Sequence, residues 1–195
     1  MNNLQAGDIT AVILAGGQGS RMGGRDKGLV DFRDKPLVGH VIDGIRAQLD
    51  NIVINANRTR EAYGAFGYAV IADDMSGFQG PLAGFLAAMQ AVQTDYILTL
   101  PCDGPFVHPD YARKMLDTLN REGGDLVVAS DGEWMQPVYA LIPCRLSADL
   151  GEFLASGERK IDRWYARHNT RQVVFPPDSG FFTNINTLQE LEQTP

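Results

Sequence analysis

Apolar residues along this chain fall into short runs separated by polar or glycine-rich turns, and the period of the runs alternates. Ile9-Thr10-Ala11-Val12-Ile13-Leu14 is continuous and rich in β-branched residues, which predicts a strand buried on both faces, in the middle of a parallel sheet. A short hairpin is expected over 28–35 with its turn at Arg33-Asp34, and Pro36 opens a helix carrying Leu37, Val41, Ile45 and Leu49 on one face. Further strands are predicted at 51–57, 68–72, 96–100 and 126–129. Helices fall between them at 59–66, from Pro81 with the stripe Leu82, Phe85, Leu86, Met89 and Val92, and at 109–119. This alternation predicts an α/β fold: a doubly wound, mostly parallel, Rossmann-like sheet with helices on both faces. The run 137–142 follows the turn Ser130-Asp131-Gly132-Glu133 too closely for a crossover helix, so it predicts one antiparallel strand, a hairpin-like element at the sheet edge. Helices at 146–154 and 160–166, a strand at 172–175 and a last helix at 188–192 complete the pattern. No repeat, low-complexity tract or linker interrupts it, so 1–195 reads as a single domain.

Composition narrows the function classes. With 195 residues, 44% hydrophobic and 21% charged, the chain is long enough for a sizeable core, and a net charge of -7 argues against a nucleic-acid or anionic-membrane surface. The start Met1-Asn2-Asn3-Leu4-Gln5 lacks the basic and apolar regions of a signal peptide, and no apolar run reaches membrane-spanning length. A cytoplasmic location is expected. Cys102 and Cys144 lack metal-ligand spacing and are expected to stay reduced and structural, with Asp103 opposing thiolate formation at its neighbour. His40, His108 and His168 stand far apart, as surface or capping residues do.

The strand 9–14 runs into Leu14-Ala15-Gly16-Gly17-Gln18-Gly19-Ser20-Arg21-Met22-Gly23-Gly24-Arg25-Asp26-Lys27. Glycines leaving the carboxyl edge of a parallel sheet let backbone N–H groups approach an anion closely. A surface turn can carry glycines without chemistry, but Arg21 and Lys27 supply the charge that phosphate needs. A Walker loop is excluded because Lys27 lies between Asp26 and Gly28, and the dinucleotide fingerprint is excluded because Met22 stands where a third glycine or alanine belongs. Other strands deliver polar ends to the same edge: Asn55, Asp73-Asp74 and Asp103. Each also suits a plainer role, Asn55 as a strand terminator and Asp103 as a loop cap between Pro101 and Pro105.

The pattern Leu14-Ala15-Gly16-Gly17-x-x-Ser20-Arg21-Met22-Gly23, followed by Asp26-Lys27 and Lys35-Pro36-Leu37, resembles the signature of the nucleotidyltransferases that activate sugar phosphates, alditol phosphates and the molybdenum cofactor. The resemblance extends to the molybdenum cofactor guanylyltransferases through Asn55-Ala56-Asn57-Arg58, Gly80-Pro81-Leu82-Ala83-Gly84, Pro101-Cys102-Asp103, Ser156-Gly157-Glu158-Arg159-Lys160 and Asn184-Ile185-Asn186-Thr187. It implies transfer of GMP from GTP to the phosphate of molybdopterin, with release of pyrophosphate and with Mg2+ as cofactor. It also implies that Leu14, Ala15 and Gly16 hold the guanine side, Asn55 and Asp73 the nucleoside, Lys27 the phosphates and Asp103 the metal. Arg21, Lys27 and Asp103 are then the catalytic set, and the N-terminal part binds GTP. The C-terminal part binds the pterin, with Arg159, Lys160, Asn184 and Asn186 as its candidates. Two departures leave those pterin contacts open: Gln136 stands before Pro137 where some relatives carry histidine, and Lys160 follows Arg159 where a second arginine is common. Attack by an ionised phosphate needs no general base, only positioning and neutralised charge, and no residue stands out to activate water, which favours transfer over hydrolysis. The alternatives are a molybdenum cofactor cytidylyltransferase, a sugar-phosphate nucleotidyltransferase, and a non-catalytic nucleotide- or cofactor-binding adaptor. An adaptor could discard Lys27 or Asp103, and both are present. GTP and molybdopterin are the implied partners, with molybdoenzymes or other cofactor-synthesis proteins as further ones.

Overall fold

The computed structural model describes residues 3–16, 26–73 and 80–193. Its axis is β1 (Ile9–Leu14), flanked by β4 (Ile52–Asn55) and β6 (Tyr96–Pro101), both parallel to it. Register aligns Leu14 with Asn55 on one side and with Pro101 on the other, so three strand ends finish level at the carboxyl edge. With β5 (Ala69–Ile71), β7 (Leu126–Ser130), β8 (Met135–Pro143) and β9 (Thr170–Val174), the strands form a seven-stranded sheet in the order β5-β4-β1-β6-β8-β7-β9. A separate two-stranded hairpin, β2 (Asp31–Phe32) and β3 (Lys35–Pro36), turns at Arg33, whose φ of 59° is left-handed.

Alternation along β1 sends Ile9, Ala11 and Ile13 into one hydrophobic layer and Val12 into the other. The first layer packs α1 (Leu37–Arg46) and α4 (Tyr111–Glu122), through Val38, Val41, Ile45, Tyr111 and Met115. The second packs α3 (Pro81–Ala91), α5 (Ser147–Ala155) and α6 (Ile161–Tyr165), through Leu82, Phe85, Leu150, Phe153 and Trp164. The mostly parallel, doubly wound fold with helices on both faces is therefore as expected. In α3 the stripe was too narrow: Ala83, Gly84, Ala87 and Ala88 are buried as well, because small residues let the helix sink against the sheet and α5.

The antiparallel strand is present, but its placement at an edge is corrected. β8 lies between β6 and β7 and pairs antiparallel with both, and the edge strand is β9, parallel to β7. The physical reason is that Tyr139–Pro143 is buried at every position, a continuous apolar run suited to a strand covered on both faces. Before it, β8 bulges: Ala129 pairs with Gln136 but Val128 pairs with Ala140, so the residues between are unopposed. Pro137 has no N–H to give the ladder, which makes a bulge the place it can be accommodated. Other groups take up the exposed polar atoms: Tyr165 Oη donates to Pro137 O at 2.8 Å, Thr99 Oγ1 donates to Val138 O at 2.6 Å, and Ala140 N donates to Thr99 Oγ1 at 3.2 Å. Among the described residues, no helix is long and apolar enough to cross a membrane.

Phe85 is completely buried in the second layer. Phe85→Ala should lower unfolding free energy by about 3–5 kcal/mol, the cost of lost burial plus the cavity left behind. Urea denaturation followed by circular dichroism measures it, and a loss well under that range would mean that α3 collapses onto the vacated space.

Candidate active site

The carboxyl edge carries two adjoining groups of polar side chains. The first is built on Lys27, which begins a tight turn over Lys27–Leu29. Its ammonium forms an ion pair with Asp103 Oδ2, just beyond the end of β6, and donates to Asn186 Oδ1 at 2.5 Å. Asn186 is itself anchored. Ile185, fully buried beside Phe32 and Leu37, donates its N–H to Asp103 O at 2.9 Å. The Glu190 carboxylate accepts from the N–H groups of Asn186 and Thr187 at 2.5 and 3.2 Å, while Glu190 N donates back to Thr187 Oγ1 at 3.1 Å. That reciprocal pair is a capping box at the start of α7 (Leu188–Gln193). Asn184 stands close by, its Oδ1 3.3 Å from where a Cβ on Gly104 would lie.

Asp103 offers an opening for a cation. Its side chain is only 16% exposed, and Oδ1 is buried with no hydrogen-bond partner while Oδ2 faces Lys27. Among the described residues, no group of three or more His, Cys, Asp or Glu is arranged to hold a metal by protein ligands alone. A hard divalent cation that takes one carboxylate and completes its shell with water and substrate phosphates has no need of one, so this residue set fits such an ion. Neighbouring Cys102 does not compete: burial, then the negative charge of Asp103, pushes its thiol far up, and it stays protonated. Cys144, half-buried, is pushed up to about 11 by burial.

The second group lines a pocket of about 150 Å³ formed by Leu14, Gly16, Asn55, Asp73, Gly80, Pro81, Pro101 and Val138. Asp73 is held at both oxygens, Oδ1 accepting from Asn55 Nδ2 at 2.8 Å and Oδ2 from Asn57 Nδ2 at 2.8 Å, while Asp73 N donates to Asn57 Oδ1 at 2.8 Å. Two amides one turn of the pleat apart thus aim a carboxylate into the pocket wall. Gly84 makes room for this, because a Cβ there would stand 2.5 Å from Asn55 Oδ1 and 2.9 Å from Leu14 Cδ2. The β8 bulge brings Val138 into the pocket lining. Apolar sides with a few fixed polar groups suit a planar heterocycle and its sugar. A larger cavity, about 280 Å³, lies at the start of β1 among Ile9, Leu49 and Leu116, where Asp110 and Arg113 pair with each other at 3.0 Å.

The structure thus brings together Leu14, Gly16, Asn55 and Asp73 in the pocket, and Lys27, Asp103 and Asn186 in the adjoining cluster. Ala15 is buried in the first hydrophobic layer and donates its N–H to Asn55 O at 2.8 Å. Asn186, expected among the pterin residues, is on Lys27. Arg159 donates to Leu154 O and Glu158 O at 2.7 and 2.6 Å, in the turn between α5 and α6, and exposed Lys160 follows it. Arg21 and Asp74 lie outside the described residues. Asn57 was given no role from sequence, although its spacing two residues beyond Asn55, on the same side of an extended chain, was a usable signal. The Thr187-x-x-Glu190 capping pattern was equally readable.

Residues 11–173 match the family model of the MobA-like NTP transferase domain. The molybdenum cofactor guanylyltransferase of Shewanella sediminis is 48% identical over 185 residues, covering 95% of this chain and 94% of that one. Molybdopterin-guanine dinucleotide biosynthesis protein A from Archaeoglobus fulgidus superimposes with a TM-score of 0.77 at 24% identity, over 95% of each chain. A Mycobacterium tuberculosis H37Rv protein solved in complex with manganese superimposes with a TM-score of 0.64 at 20% identity, over 88% of this chain and 90% of that one. With a doubly wound sheet, a lysine and aspartate paired at its carboxyl edge and a relative this similar over almost its full length, the chain belongs to the MobA-like nucleotidyltransferases and, within them, to the molybdenum cofactor guanylyltransferase family.

Proposed function

We propose that this protein transfers GMP from GTP to the phosphate of molybdopterin, releasing pyrophosphate and forming the guanine dinucleotide form of the cofactor. The observation that carries the reading is the Lys27–Asp103 pair with a spare carboxylate oxygen, directly beside the pocket of Leu14, Gly16, Asn55 and Asp73. An oxygen of the pterin phosphate attacks the α-phosphorus of GTP, and the bond from that phosphorus to the bridging oxygen of the β-phosphate breaks. The attacking phosphate is already ionised, so the site's task is alignment and neutralisation of charge.

Each residue's part follows from its chemistry. Leu14, Ala15 and Gly16 meet the guanine at the strand end, and Asn55 and Asp73 meet the nucleoside. Lys27, with Arg21, balances the triphosphate. Asp103, whose Oδ1 has no hydrogen-bond partner, would hold a divalent ion, and the manganese-bound structural neighbour supports a divalent metal here, with Mg2+ as the ion in this enzyme. When bound, that ion neutralises phosphate charge and screens the attacking anion from the anion it approaches. The N-terminal part of a single domain spanning 1–195 serves GTP and the C-terminal part serves the pterin, through Arg159, Lys160, Asn184 and Asn186. The contact of Asn186 with Lys27 supports a place for the asparagines where acceptor phosphate and triphosphate meet, with Arg159 and Lys160 further towards the pterin. The protein works in the cytoplasm, where molybdoenzymes or other cofactor-synthesis proteins receive the product.

Incubation with Mg2+, molybdopterin and each nucleoside triphosphate in turn, followed by mass spectrometry of the pterin product, should show guanylate attached in preference to cytidylate, adenylate or uridylate. Efficient attachment of cytidylate would move the chain to the cytidylyl branch. Asp103→Ala should lower turnover by at least about a hundredfold, on the scale of removing one preorganised electrostatic contact; it also leaves Lys27 without its ion-pair partner, so the melting temperature falls and turnover is compared well below it, at equal folded fraction. Calorimetric titration of Mg2+ in the presence of GTP checks the cause: unchanged metal affinity in the variant would take Asp103 out of the metal site.

A further inference from the structure

Lys27 is flanked along the chain by two residues whose positions are tightly fixed. Its chain neighbour Asp26 accepts hydrogen bonds at both carboxylate oxygens, from Tyr63 Oη at Oδ1 and from Thr59 Oγ1 at Oδ2, the latter at 3.3 Å. Tyr63 belongs to α2 (Arg60–Gly64) and is wholly buried, in the layer that also contains Cys102. Burial drives its hydroxyl far above the usual tyrosine range, so it remains a donor. Thr59 has φ 51°, a left-handed conformation that β-branched residues rarely adopt, and it directs its hydroxyl at Asp26. Gly28 closes the arrangement on the other side of Lys27. A Cβ there would stand 2.5 Å from Tyr63 Oη and 3.1 Å from Cys102 Cβ, so only glycine lets this turn press against Tyr63 and against the residue preceding Asp103.

We infer that Tyr63, acting through the Asp26 carboxylate, is a positioning residue that sets the Lys27 ammonium for the triphosphate, an inference that rests on the reading of Lys27 as a phosphate ligand. The same segment carries Asn57, which fixes Asp73, so 55–63 ties the nucleoside pocket to the phosphate cation by one short stretch of chain. Misplacement of a charged group by a fraction of its reach is enough to weaken grip and turnover together.

A double-mutant cycle tests it. Tyr63→Phe keeps the buried ring and removes only the donor. By calorimetry, GTP affinity with Mg2+ should fall roughly tenfold in the parent background and change less than about twofold in Lys27→Ala, because coupled residues are non-additive. Asp26→Asn retains an oxygen to accept from Tyr63 and should lose less affinity than Asp26→Ala, a comparison that stands even if the tyrosine variant folds poorly. Thermal melts fix the folded fraction for each protein. Equal losses in both Lys27 backgrounds, or no loss in the parent, would overturn the inference and leave Tyr63 a packing residue. A parent chain that bound CTP and ignored GTP would instead overturn the base assignment, and the same cycle would then be read with CTP.

Discussion

Three segments remote in sequence meet on one ammonium group. Lys27 touches Asp103, 76 positions away, and Asn186, 159 positions away, and each contact depends on a different part of the fold. Asp103 is delivered by β6 lying directly beside β1, with Leu14 level with Pro101. Asn186 is delivered by a buried isoleucine and a capped terminal helix. Neither Lys27 nor Asp103 is more than about a fifth exposed, their side chains being 21% and 16% accessible, so separating them leaves an undercompensated charge in a poorly hydrated place. Within the pair each charge keeps the other in position.

That demand explains where glycine and small residues are concentrated. Gly84 and Gly28 stand where side chains crowd the strand ends, and a methyl group at either would push on the Asn55 amide or on the Tyr63 hydroxyl and the Cys102 thiol. Around them the two hydrophobic layers are large and continuous, with β1 shared by both, so the tight approaches are held by packing outside the site.

Strand and helix order was legible because period and length are local properties: Ile9–Leu14 could be little else, and Asn55 and Asp103 were marked as edge residues by ending apolar runs. Their meeting was readable only through topology, since the doubly wound order places the strand ending before Asp103 next to the first strand. The interior position of β8 was harder, because a tight return after β7 looks the same in sequence whether the new strand lies outside its partner or inserts on its inner side. Burial of every residue from Tyr139 to Pro143 decided it, and that distinction belongs to the assembled sheet. The place of Asn186 on Lys27 was likewise hidden, as it depends on Ile185 finding Phe32 and Leu37, a contact that no periodicity within 184–187 announces.

The interleaving of β8 also sets an order of events during synthesis. β7 reaches the parallel half of the sheet only through β8, a strand made after it, and β9 reaches the sheet only through β7. A nascent chain that ends before Met135 therefore has β5, β4, β1 and β6 available to one another while β6 keeps an unpaired, apolar edge. Such an edge is a template for pairing with other chains until the next strand covers it. The β6 edge is thus closed by one late insertion, and the strand that shields it also brings Val138 to the pocket of Leu14 and Asn55, so that protection from aggregation and a finished pocket wall arrive together.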